Sequence, residues 1–173
     1  KLMENIMASK FNKFLDAKFT PPKRWELNSS LTFDSDQLDE KDRTALKAIG
    51  VKLTKAGKIT ASKGFKTDLA SVPRVAWAFI APFDIARSAV IHDELYSKIR
   101  EYRESNGYHV GSGGEGETEQ SKQLSKQCKK IADDVFLEAM LESDPKIAKW
   151  KALASYYSVV LFGRWSIIPR ETD

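Results

Sequence analysis

Apolar positions change their rhythm along this chain. In "VKLTKAGKITASKGF", residues 51–65, they alternate: Val51, Leu53 and Ile59 fall on one face, with a turn near "KAGK". That pattern predicts a hairpin. "RWELNSSLTFD" is strand-like too, with Trp25, Leu27 and Leu31 among polar residues. The polar run "DSDQLDEKDRTALKAIG" between them predicts a helical turn ending at Gly50. "GFKTDLASVPR" has no clear period and runs into the helix-compatible "VAWAFIAPF". Beyond it the spacing is helical. One helix is expected from Asp84, a suitable N-cap, to about Arg103. Another is expected over "EQSKQLSKQCKKIADDVFLEAMLES", with Leu124, Cys128, Ile131, Val135 and Ala139 as its apolar stripe. The last, "KIAKWKALASYYSVVLFG", stops at Gly163. The predicted class is α+β: an N-terminal antiparallel hairpin or small sheet, then a body of three or four helices.

Length and punctuation set the domain plan. The 173 residues suit one domain. Residues 1–22, which mix lysines with Phe11, Phe14 and Phe19, form an N-terminal arm expected to lie on the protein's own core, the alternative being an arm that docks on a partner or membrane surface. Residues 23–173 form the α+β domain, with a flexible Gly/Glu-rich loop at about 104–120, "ESNGYHVGSGGEGETEQ". That loop lacks the Lys and Ser or Thr that end a phosphate-binding P-loop, and no strand precedes it.

Composition excludes several classes. The chain is 42% hydrophobic and 30% charged, as a globular protein is, and its net charge of +4 is spread rather than blocked. A nucleic-acid role would need a basic stripe or a reading helix, and "SKQLSKQCKK" is more simply a solvated helix face. The single cysteine, Cys128, excludes an internal disulfide and falls within an apolar stripe, as a packing residue does. "VAWAFIAPF" is too short to span a bilayer, and no signal peptide opens the chain.

The candidate chemistry lies in "AVIHDELYSK". Ile85, Ala89, Leu95, Tyr96 and Ile99 share one helix face, and His92 falls in its middle. An inward imidazole needs a partner, because an unpaired buried polar group costs about 2 kcal/mol or more. Tyr96 lies one turn on. If the "IADDVF" helix packs antiparallel, Asp133 or Asp134 reaches the imidazole. A carboxylate there fixes the tautomer and leaves the other nitrogen free to take a proton from water. Asp93 and Asp68, with backbone oxygens, can hold a divalent cation such as calcium. The site works only where the ring meets solvent; a sealed ring is a packing network.

The ordered runs "GFKTDLASVPR", "AVIHDELY" and "ADDVFLEAM" resemble a family found in bacteriophages and prophages, the domain of unknown function 1353. The likeness runs from about Trp25 to Trp165 and includes a late "LFGRW". It implies a phage-encoded protein, located in the virion or the host cytoplasm. The matching polar residues are Thr67, Asp68, Ser71, Arg74, His92, Asp93, Tyr96 and Asp133, which favours Asp133 over Asp134. "HDELY" and "ADDVF" are also distantly similar to the active-site helices of secreted and parvoviral phospholipase A2 enzymes. That similarity implies His92 as base, Asp93 as calcium ligand, and Tyr96 with Asp133 as support. No Gly-rich calcium loop precedes the histidine here, and Asp68 would have to supply missing ligands.

Two functions follow as expectations. One is a virion-associated hydrolase acting on an envelope lipid or peptidoglycan bond. The other is a non-enzymatic tail or capsid component that contacts other virion proteins.

Overall fold

The computed structural model describes residues 10–21, 24–68, 85–143 and 146–169. Small antiparallel sheets and a short helix come first and three longer helices follow, an α+β fold. β1 (Ala17–Thr20) pairs with β2 (Arg24–Leu27), whose other edge takes β5 (Lys66–Thr67). β3 (Leu31–Phe33) pairs with β4 (Ile59–Ala61) in a second sheet. Period-two alternation sets its register: Leu31, Phe33, Ile59 and Ala61 are all buried, and Thr32 stands opposite Thr60. The hairpin leading into β4 carries a Leu53–Ile59 bridge and a turn closed by the Gly57 amide on the Thr54 carbonyl at 2.9 Å.

Between the strands of this second sheet lies α1 (Glu40–Ala48), begun by the Asp39 side chain, which accepts from the Asp42 amide. It ends before Gly50, whose φ of +86° is the left-handed turn that glycine adopts without a Cβ penalty.

α2 (Ala86–Ser105) and α3 (Glu119–Leu141) are antiparallel neighbours, since His92 meets Asp133 at one level and Arg103 meets Glu117 at another. α4 (Lys149–Phe162) packs on α3. The first half of α2 is buried on every side, Ser88 to Tyr96 without a break. The single apolar face expected of it is therefore incomplete: α3 lies against one side and the β3–β4 sheet against another. Polar Asp93 and Glu94 become interior residues that need partners. The N-cap position belongs to Ile85, which offers no side-chain bond; Asp84 lies outside the described residues. So do Ser71, Arg74 and "VAWAFIAPF".

The Gly-rich segment, expected to be a flexible loop, folds as successive turns tied down at its ends. Arg103 pairs with Glu117 through two bonds, 3.0 and 2.8 Å, and its guanidinium covers the buried Tyr108 ring at 4.5 Å. At the other end of the molecule Glu138 of α3 fastens the N-terminal residues. It accepts from Lys10 Nζ (2.6 Å), Ser35 Oγ (2.5 Å) and the Asp36 amide (2.9 Å). Phe11 beside Lys10 is buried, its ring 4.8 Å from Phe33. Cys128 is 0% exposed in the α2–α3 core, and burial, with the charge of Asp42, pushes its thiol up to about 12. It packs; it does not attack.

Candidate functional site

The site is built on the crossing of α2 and α3. Helical spacing puts Tyr96 one turn after His92 on the side that meets α3. The two rings are 4.0 Å apart, and Phe136 of α3 lies 4.8 Å from the imidazole on another side. Asp133 projects from α3 into this aromatic setting. Its Oδ1 receives His92 Nε2 at 3.2 Å and the Tyr96 hydroxyl at 2.7 Å; its Oδ2 receives Lys129 Nζ at 2.7 Å. Three donors thus converge on one carboxylate that is 3% exposed.

The electrostatics follow from those bonds. Burial alone would push the Asp133 carboxyl up. The hydrogen bond from His92, with the bonds from Lys129 and Tyr96, outweighs it and holds the group below the usual carboxylate range. Tyr96 moves the other way: burial first, then the Asp133 charge, keeps its hydroxyl protonated well above its ordinary range. An ionised carboxylate facing Nε2 places the ring proton there, so Nδ1 holds the lone pair. Nδ1 is buried and has no hydrogen-bond partner among the described residues.

The ring itself is 0% exposed. The solvent contact expected of a working base is therefore missing in this conformation. Aromatic neighbours on two sides are the physical reason, and α4 adds cover over Tyr96. A Cβ on Gly163, just past α4, would lie 2.4 Å from the Tyr96 hydroxyl, so only glycine leaves room for it. The last helix stops there as expected, with Gly163 at its C-cap, but its φ of −65° is ordinary, so space and not a left-handed cap accounts for the glycine.

The remaining expected residues divide. Thr67, buried at the end of β5, donates to Asp93 Oδ2 and so joins the three-stranded β1–β2–β5 sheet to α2. Asp68, one residue further, is exposed. Among the described residues no three His, Cys, Asp or Glu side chains are grouped to hold a metal ion. A calcium shell takes about six to eight oxygens, and the described residues bring no such set together at Asp93 and Asp68. Asp134 is held by Lys130 at 2.7 Å and Tyr156 at 3.0 Å, away from His92.

Sequence reasoning missed Lys129, placed on a solvated face. Its side chain is 13% exposed, and it also donates to the Val159 carbonyl at 3.3 Å. The signal was present as the i, i+4 spacing to Asp133.

Comparison with known families matches residues 44–159 to the family described as "Protein of unknown function (DUF1353)". No curated protein and no solved structure matches the chain.

Proposed function

The chain belongs to the DUF1353 family, and from that premise we propose that it is a phage-encoded, virion-associated hydrolase in which His92, sealed in this conformation, activates water against an ester or peptidoglycan bond of the host envelope once its Nδ1 edge is uncovered to solvent. One observation carries this reading: Asp133 takes Nε2 of His92 together with Tyr96 and Lys129, while Nδ1 is left with no partner among the described residues. A purely structural histidine would satisfy both nitrogens, since each buried orphan costs about 1–3 kcal/mol. In the proposed step Nδ1 takes a proton from water and the oxygen bonds the substrate carbonyl carbon. The tetrahedral adduct then expels the leaving alkoxide or amine, which receives that proton. Asp133 stabilises the imidazolium in between, and Lys129 and Tyr96 hold Asp133 in place.

The 0% exposure of His92 favours a second reading, a packing network inside a virion component that works through its surface. Turnover requires that the Nδ1 edge be uncovered, and structure alone requires nothing of the kind. The discriminating assay offers phospholipid vesicles and peptidoglycan to the wild type and to His92→Asn. Catalysis predicts a loss of about 100-fold or more with the circular dichroism of the fold retained. Absence of any His92-dependent turnover, with the protein present in stoichiometric copies in purified particles, leaves the packing network. Among the described residues no helix is long and apolar enough to cross a membrane.

A further inference from the structure

A groove of about 570 Å³ runs between α3 and the end of α4, on the far side of Asp133 from His92. Its wall on α3 is a basic stripe, Lys122, Lys126, Lys129 and Lys130, spaced so that one helix face carries them all; Arg103 and Arg164 add two guanidiniums. Most of this charge is already answered. Glu117 pairs with Arg103, Glu119 with Lys122, Asp133 with Lys129 and Asp134 with Lys130. Lys126 and Arg164 have no carboxylate partner among the described residues. Arg164 is instead stacked 4.1 Å from the Trp165 ring, which orients its guanidinium. On the wall between the lysines sits Ser125, 2% exposed, its hydroxyl buried and without a hydrogen-bond partner among the described residues.

We propose that this groove binds a phosphate-bearing anion, with Lys126 and Arg164 supplying the charge and Ser125 a hydroxyl donor. Two unanswered cations match a dianion better than a single carboxylate. A guanidinium fork and an ammonium are the usual pair for phosphate oxygens, the first bidentate and the second a point charge. A buried hydroxyl beside them gains the bond it lacks. The volume lies within the range of small-molecule sites, roughly 300–1,000 Å³, and so holds more than the phosphate. Val160 and Ile167 give the groove an apolar side for the rest of the ligand. The shared chemistry is a phosphate ester or diphosphate, and it stands whether or not His92 is a base. It comes either from a soluble phosphate compound or from a phospholipid headgroup.

The test uses two probes on the whole chain at low salt. Inorganic pyrophosphate is titrated by calorimetry, and vesicles of phosphatidylcholine with and without phosphatidylglycerol are used in co-sedimentation. Lys126→Glu with Arg164→Glu changes two exposed positions and is checked for native circular dichroism. Lys47→Glu with Lys55→Glu, exposed and outside the groove, gives the same change in net charge. The expected result is salt-dependent binding of at least one probe, weakened about tenfold or more by the groove pair and little by the control pair. Arg164→Gln, which removes the fork without reversing charge, gives a smaller loss in the same direction. Binding of pyrophosphate assigns a soluble source, and binding of the anionic vesicles alone assigns a headgroup. No binding of either probe, or an equal loss in the control pair, overturns the proposal.

Discussion

Gly163 measures how closely the Asp133 network is covered. An added methyl would meet the Tyr96 hydroxyl at 2.4 Å and the Val159 carbonyl at 2.3 Å, both well inside contact distance. Gly163→Ala is expected to lower unfolding free energy by about 1–3 kcal/mol in urea titrations, as overpacking does. Tyr96→Phe removes one of the two clashing atoms, so the double variant should lose less than the sum of the singles. Asp133→Asn breaks a buried charged network and should cost about 3–5 kcal/mol near neutral pH. The folded carboxyl is held below its usual value, so its contribution is complete above about pH 4 and fades as pH falls through the lower folded value. The gap between wild type and Asp133→Asn should therefore narrow in acid, and an unchanged gap would contradict the assigned bonds. At this scale much was legible: helical spacing joined His92 to Tyr96, and the resemblance selected Asp133 over Asp134. Lys129 was not used because a lysine beside other lysines reads as solvated. Gly163 could not be read because the space it leaves belongs to Tyr96, 67 positions away along the chain.

Among elements, α3 is the organising piece. One of its sides holds Asp133 against α2, and Glu138, near its C-terminal end, holds the N-terminal residues through three donors. Burial opposes the charge on Lys10, yet the bonds and charges of Asp36 and Glu138 keep its ammonium protonated above the usual lysine range. Glu138→Gln should cost about 3 kcal/mol in chemical denaturation, the low end of the range for breaking a buried pair, because Lys10 is partly exposed. A loss within about 0.5 kcal/mol would mean the anchor is dispensable. The same contact changes how an arm deletion reads: removing residues 1–22 takes away Lys10 and buried Phe11, so it disturbs packing as well as any docking. Strand alternation and helix periodicity made most elements legible. The enclosure of α2 was not, because its sequence keeps Arg87, Asp93 and Glu94 among apolar residues, and the elements that cover it come from distant parts of the chain.

For the whole molecule, composition and pattern were enough for the α+β class, and ordered motifs were enough for the family. The basic groove escaped notice because its cations come from three elements and only the fold gathers them. One buried side chain turns this architecture into a measurement. The chain holds a single thiol, sealed in the core and kept un-ionised by burial. A thiol-reactive dye in native buffer should therefore label it at least about a thousandfold more slowly than a free cysteine, the factor set by a typical global stability. Glu138→Gln should speed the reaction by its own stability loss. Fast dye uptake by the intact protein would instead mean that α2 and α3 part locally while the rest stays folded. Cys128 is in this way a native timer, reporting without any added label site how often the interior of the molecule is opened to the outside.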